Sequence, residues 1–143
     1  MGGYMQDNFL NSYNSHQHGF RFYEWSVCDI FIYFSHRRIS IPPVNYINAA
    51  HSNGVKCLGT VITEWEEGEI ENIRLLNGSV LKNFSDKSSK EETDSNRFIY
   101  ADKLIEVAKH YKFDGYLINI EAKINNAQQL VDWMQYLREK MHE

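Results

Sequence analysis

Three short apolar runs, each followed by a stretch with helical spacing, constrain the fold of this chain more than any other feature. The runs cover residues 27–34, 55–65 and 113–121. Most of their positions are apolar, which is typical of strands that lie under helices in a parallel sheet. The alternation of strand and helix implies parallel strands joined by right-handed crossovers. The sequence therefore predicts an α/β fold, with functional groups at the carboxyl ends of its strands.

Three helices are predicted from apolar spacing and from the residues at their ends. The first begins near Val44, after two prolines that a first turn tolerates, and ends at Asn53-Gly54. The second covers residues 98–111, where a stripe of apolar side chains repeats with the helical period. The third runs from about residue 127 to residue 141, and an Asn immediately before it can cap its first turn.

Residues 66–96 interrupt this alternation. Apolar side chains are scattered between residues 70 and 84, a pattern compatible with a short helix. Residues 85–96 are poor in apolar side chains and rich in Ser, Lys and Glu, which predicts a flexible insertion. Because a chain of 143 residues has the usual length of one domain, we expect a single domain over residues 1–143.

Composition excludes several classes of protein. Apolar residues make up 43% of the chain, which is enough to form a core and argues against disorder throughout. A net charge of −4 argues against a surface for nucleic acid or anionic membranes. No apolar run approaches membrane-spanning length, and no secretory signal precedes the first strand. Cys28 and Cys57 lie within apolar runs as free thiols would, so we expect a cytosolic protein.

Polar or aromatic side chains follow each predicted strand at the end where sites gather. They are His36 after the first strand, Glu64 and Trp65 at the end of the second, and Asn119 and Glu121 at the end of the third. Asn119 and Glu121 point to the same face of a strand, roughly 7 Å apart. Glu121 could simply begin a solvated loop, but an amide buried beside a carboxylate is costly without a use. We therefore predict a site at this edge.

The pattern Asp114-Gly115-x-x-x-Asn119-x-Glu121 resembles a chitinase-type signature from the fourth strand of a (β/α)₈ barrel. It departs from that signature at Leu117 and Asn119, where chitinases have Asp. With Asn at the second of these positions, the pattern instead resembles that of the cytosolic endo-β-N-acetylglucosaminidases. Other segments resemble the same family in the same order: residues 1–4, 29–36, 41–43 and 59–65.

This resemblance implies an endoglycosidase that cleaves the β-1,4 bond between the two core N-acetylglucosamines of an N-glycan. Such enzymes retain configuration and use the substrate's own acetamido oxygen as nucleophile. Glu121 would be the general acid and base, partly buried so that it stays protonated, and Asn119 would hold the acetamide. Trp65 would contact sugar rings, with Glu64 and His36 as weaker candidates. The resemblance implies no cofactor and no metal, an N-glycan or free oligosaccharide as substrate, and no nucleic-acid or membrane partner.

The chain is short for the fold that the resemblance implies. A (β/α)₈ barrel typically needs about 250 residues, and the matching segments correspond to roughly the second to fourth β/α units. We therefore expect an incomplete TIM barrel, a fragment or short isoform that is inactive and poorly stable in isolation. The alternatives are an inactive carbohydrate-binding remnant of that barrel and a chitinase-like hydrolase. An open-sheet nucleotide-binding domain is disfavoured, because no glycine-rich phosphate loop follows any strand.

Overall fold

The computed structural model describes residues 22–76 and 98–142. The described residues divide into two compact units, one lying within Met1–Ile62 with Ala108–Ile120 and the other within Thr63–Val107 with Glu121–Glu143. The flexible insertion predicted at residues 85–96 lies outside the described residues. Within those residues no helix combines the length and the apolar content that crossing a membrane requires.

The first unit is built on a mixed sheet, whose longest strand is β3. Its four strands are β1 (Ile30–Ile32), β2 (Ile39–Ser40), β3 (Lys56–Thr63) and β4 (Gly115–Ile120). β1 runs parallel to β3, with Ile30 opposite Lys56, and β4 also pairs with β3. β1 and β4 thus flank β3 as the strand–helix alternation predicts, and the α/β class is confirmed.

β2 was not predicted, and it makes the sheet mixed rather than wholly parallel. It pairs antiparallel with β3, with Ile39 opposite Val61. β1 is accordingly only three residues long, because the chain leaves the edge of β3 soon after Tyr33, whose N–H donates to the Leu58 carbonyl oxygen at 2.9 Å. Arg38 then donates through Nη1 to the Ile62 carbonyl oxygen at 2.7 Å, which holds the returning segment at the same edge of β3.

Helix α1 (Val44–Ser52) belongs to this first unit and ends where the sequence predicts. Pro43 occupies its N-cap position, and the Asn53 N–H donates to the Ala50 carbonyl oxygen at its end. The core of the unit comprises buried side chains from both sequence segments: Trp25, Tyr33, Ile47, Ala50, Val55, Cys57, Val61, Ile62, Ala108 and Phe113. This core holds β3 in place, because four of those side chains come from β3 and the residue preceding it.

The second unit is helical. It contains α2 (Trp65–Leu76), most of α3 (Ile99–Tyr111) and α4 (Ala127–Met141). α4 begins at an Asn cap as predicted, since the Asn126 side chain accepts a hydrogen bond from the Gln129 N–H at 3.2 Å. The core of the unit consists of the buried apolar side chains Leu76, Ala101, Leu104, Ile105, Trp133 and Leu137.

α2 differs most from the sequence prediction. It begins at Trp65, directly after β3, whereas the pattern favoured a strand through residue 65 and a helix only beyond residue 70. Two acidic residues in its first turn, Glu66 and Glu67, explain the earlier start, because negative charge at a helix N-terminus is stabilising. The consequence is that Trp65 lies on a helix terminus and not in the sheet.

Candidate active site

The end of β3 positions the chain that follows β4. The Thr63 carbonyl oxygen accepts two hydrogen bonds, from the N–H groups of Glu121 at 2.9 Å and Ala122 at 3.1 Å. Thr63 itself is buried. Glu121 is therefore anchored through its backbone to a buried strand end, while its side chain is exposed to solvent. The expectation that Glu121 is partly buried is wrong in this structure.

Trp65 is held in an unusual backbone conformation at the start of α2. Its φ angle is 59°, in the left-handed region that residues other than glycine seldom adopt. Its side chain is 79% exposed, although tryptophan is usually among the most buried residues. Packing therefore does not explain the position of the indole ring, and strain of this kind is a reason to look for a function.

Trp65 and Glu121 line the same open cleft, which has a volume of about 650 Å³. The other lining residues come from the first turns of α2 and from the segment after Glu121: Glu66, Glu67, Glu69, Ala122 and Lys123. A volume of this size accommodates a small ligand. The cleft offers an aromatic ring, a row of carboxylates and one ammonium group, so it suits a neutral ligand rich in hydroxyl groups better than an anion.

A glycine allows α2 to approach the segment after Glu121 closely. A Cβ atom on Gly68 would lie 2.7 Å from the Ala122 Cβ and 3.1 Å from the Thr63 carbonyl carbon. Real Cβ atoms do not approach other atoms so closely, so a larger residue here would displace Ala122. Gly68 thereby places the carboxylates of α2 beside Glu121 in the cleft.

Asn119 lies in the first unit as the penultimate residue of β4, and its side chain is half-buried. It precedes Glu121 by two residues, as the motif requires. The backbone on both sides of it is held to β3: the Asp114 N–H donates to the Cys57 carbonyl oxygen at 2.9 Å, and the Glu121 N–H donates to that of Thr63. Residue numbers increase in both segments from the first of these bonds to the second, so β4 runs parallel to β3. Asn119 therefore lies near the carboxyl end of the sheet.

The two weaker candidates have different surroundings. Glu64 is 7% exposed and is not among the residues that line the cleft with Trp65. His36 is exposed in the first unit, where its ring meets the Phe34 ring edge-on with 5.3 Å between centroids. No group of three or more His, Cys, Asp and Glu side chains in residues 22–76 and 98–142 is arranged to bind a metal.

Several cleft residues were missed by the sequence analysis. Trp65 was predicted to be the last residue of a strand, and no role was predicted for Glu66, Glu67 or Glu69. The run of acidic residues immediately after Trp65 was the available signal, because it marks a helix N-terminus as well as a charged surface. Lys123 carried no signal, since its proximity to α2 depends on the bonds made by Thr63.

A model of Glycosyl hydrolase family 85 matches residues 4–143. The match covers nearly the whole chain, and the chain belongs to this family of glycosyl hydrolases.

Curated relatives from animals and a plant are similar to the chain over nearly its whole length. A cytosolic endo-beta-N-acetylglucosaminidase of Mus musculus is 39% identical over 147 residues, which cover 100% of this chain and 18% of the relative. The protein of that name from Homo sapiens is 36% identical, over 99% of this chain and 17% of the relative. Cytosolic endo-beta-N-acetylglucosaminidase 2 of Arabidopsis thaliana is also 36% identical, over 99% and 18%. The chain thus spans less than a fifth of the length of these relatives.

Proposed function

We propose that the cleft is part of the active site of a cytosolic endo-β-N-acetylglucosaminidase, a glycosidase that cleaves the β-1,4 bond of the N,N′-diacetylchitobiose core of N-glycans. Family membership and the names of the relatives support the reaction class and the cytosolic location. The observation that carries the proposal is that Trp65 and Glu121 line one cleft while Asn119 precedes Glu121 by two residues.

The proposed reaction keeps the configuration of the anomeric carbon by two displacements. The acetamido oxygen of the substrate attacks the anomeric carbon while Glu121 gives its proton to the leaving glycosidic oxygen. This forms a cyclic oxazoline-type intermediate and breaks the β-1,4 bond. Glu121, now a carboxylate, then takes a proton from water as the water opens the ring. Asn119 holds the acetamide in the attacking orientation, so no second carboxylate is required as nucleophile.

The remaining groups bind the glycan in this proposal. The exposed indole of Trp65 is available to stack on a sugar ring, and such contacts bury apolar area with a defined geometry. The carboxylates of Glu66, Glu67 and Glu69 can accept hydrogen bonds from sugar hydroxyls. Glu64 and His36 keep their assignment as weaker substrate-binding candidates. The substrate is an N-glycan on a glycoprotein or a free oligosaccharide.

The fold belongs to the same proposal. The α/β sheet with parallel strands on both sides of β3 is consistent with the second to fourth units of an incomplete (β/α)₈ barrel. The chain would then be one partial glycoside-hydrolase domain over residues 1–143. Solving the structure of a longer family member would test this, because β1, β3 and β4 should superpose on three consecutive barrel strands.

Because the isolated chain is expected to be inactive, the reaction is tested in a full-length relative that carries this chain in place of its matching segment, by measuring the glycan released from a high-mannose glycopeptide. We expect Glu121→Gln to lower the release rate at least about a hundredfold, since a general acid contributes 10²- to 10⁴-fold. Glu66→Gln is the matched control, because it makes the same chemical change in the same cleft. At saturating glycopeptide that control should retain the rate within about threefold, because a residue that only binds the sugar changes KM rather than kcat.

Two results would contradict the proposal. Equal loss of activity in the Glu121 and Glu66 variants would mean that charge in the cleft matters and not proton transfer from Glu121. Binding of the glycopeptide without any release, even in the full-length relative that carries this chain, is the result expected of an inactive carbohydrate-binding remnant.

A further inference from the structure

Asn72 is a buried amide on α2 that contacts the segment after Glu121. Its side chain is 2% exposed, although asparagine is usually found at the surface. Its Nδ2 donates two hydrogen bonds, to the carbonyl oxygens of Ala122 at 3.3 Å and Lys123 at 3.2 Å. Its Oδ1 is also buried and has no hydrogen-bond partner among the described residues. The Asn72 side chain therefore interacts with its surroundings only as a hydrogen-bond donor.

The geometry restrains the same segment from two directions. Thr63 accepts the N–H groups of Glu121 and Ala122, whereas Asn72 donates to the carbonyl groups of Ala122 and Lys123. Burying an amide with one unsatisfied oxygen is unfavourable by itself. A leucine of similar size would fill the same space without that penalty. Packing alone thus does not account for an amide at this position.

We propose that Asn72 is a positioning residue that orients the backbone of residues 121–123 and so directs the Glu121 carboxyl group into the cleft beside Trp65. The importance of that orientation for catalysis rests on the proposed function of Glu121. The orientation of the segment itself does not, and the two can be measured separately.

Asn72→Asp is the sharpest substitution, because it keeps the shape and replaces the donor by oxygen. Ionised, the new carboxylate would face two carbonyl oxygens and repel them. Protonated, it can donate one hydrogen bond in place of the amide. Burial and the neighbouring carbonyls raise the pKa of such a carboxyl above its ordinary value of about 3.9, so mild acid should restore the contact. A residue that only fills space would give no such rescue.

The experiment uses the full chain and amide hydrogen exchange followed by NMR. At about pH 7 we expect the amides of Glu121 and Ala122 to exchange at least about tenfold faster in Asn72→Asp than in the unsubstituted chain. At about pH 5 the ratio should fall toward one, because the introduced carboxyl is then protonated. Asn53→Asp is the matched control: Asn53 Nδ2 also donates to a backbone carbonyl, that of Ala49 at 2.8 Å, in the other unit.

Glycan release by a full-length relative that carries this chain in place of its matching segment provides the second measurement. If Glu121 is the general acid, Asn72→Asp should lower kcat about tenfold or more and leave KM within about twofold, since a misdirected acid affects the chemical step rather than binding. Unchanged exchange at Glu121 and Ala122 overturns the proposal whatever the activity. Faster exchange with an unchanged kcat would contradict the claim that Asn72 directs the Glu121 carboxyl group into the cleft. A full-length relative that releases no glycan once it carries this chain contradicts the proposed function, and the exchange rates still decide the role of Asn72.

Discussion

Asp114 and Cys57 are joined by two hydrogen bonds, and the backbone N–H of each residue donates one of them. The Asp114 N–H donates to the Cys57 carbonyl oxygen at 2.9 Å, and the Cys57 N–H donates to Asp114 Oδ2 at 2.7 Å. His51 Nε2 lies 2.7 Å from the same carboxylate oxygen. The carboxylate of the Asp-Gly motif therefore supplies the hydrogen bond that the first residues of β3 need, next to the end of α1.

Asp114→Ala should lower the free energy of unfolding by about 1–3 kcal/mol, because it leaves the buried Cys57 N–H without an acceptor. Asp114→Asn should have a smaller effect, since its amide oxygen can still accept that bond. The ion pair with His51 adds little, because both side chains are more than a third exposed. Urea denaturation measures the difference. Asp132→Ala is the control, on the exposed face of α4, and should be nearly neutral.

Stability should fall at alkaline pH through Cys57. Burial, and secondarily the Asp114 charge, raises the pKa of the Cys57 thiol from 9.0 to about 12. Between these values the thiol is protonated in the folded chain and ionised in the unfolded chain. Unfolding then releases a proton, so stability is fully present below about pH 9 and decreases above it, by up to about 1.4 kcal/mol per pH unit.

Urea denaturation at about pH 8 and at about pH 10.5 checks this dependence. Cys57→Ala should flatten the dependence, although it also lowers stability at every pH by leaving a small cavity. Burial also raises the pKa of Tyr116 above its ordinary value of 10.0, so some alkaline loss should persist in the Cys57 variant. Equal slopes for the Cys57 variant and the unsubstituted chain would contradict the argument.

Gly59→Ala should destabilise the sheet of the first unit. A Cβ atom at Gly59 would lie 2.5 Å from the Ser40 carbonyl oxygen, and the ring of Phe113 is 3.3 Å away. Backbone atoms of β2 would have to move, which by analogy with overpacked cores requires about 1–3 kcal/mol. Gly115→Ala is the matched control in β4, because its nearest neighbour is the flexible end of Leu58 at 3.4 Å. Thermal unfolding of both variants measures the difference, and an equal melting temperature for the two would contradict the argument.

Trp65→Gly should stabilise the chain while weakening glycan binding. Glycine tolerates the φ of 59°, and relief of left-handed strain is worth about 1–2 kcal/mol. The lost indole was mostly exposed, so little burial is lost with it. Lys112→Gly is the control, since Lys112 has a φ of 64° and does not line the cleft. It should gain stability and leave binding of a chitobiose-core oligosaccharide, measured by calorimetry, unchanged.

Local sequence patterns determined the positions of two helices and indicated the family of this protein. Apolar spacing and end residues predicted α1 and α4 nearly to the residue, because capping and helical periodicity act over a few neighbouring positions. The pattern ending in Asn119 and Glu121 indicated the family that the comparisons confirm. The Met134 side chain of α4 and the Tyr111 side chain of α3 are exposed, although both residues belong to the apolar pattern of their helices. Periodicity assigns a face to a side chain, but only the neighbouring elements decide how far that face is covered.

Tertiary structure decided the features on which the candidate site depends. The sequence alone could not show that Thr63 and Asn72 both bind the backbone around Ala122, because these residues are about fifty or more positions apart in the chain. Nor could it show that Trp65 starts a helix, since the apolar run before it reads equally well as a longer strand. Hydrogen bonds between distant segments form only after the strands have paired, and they place the exposed indole and the Glu121 carboxyl group on one cleft.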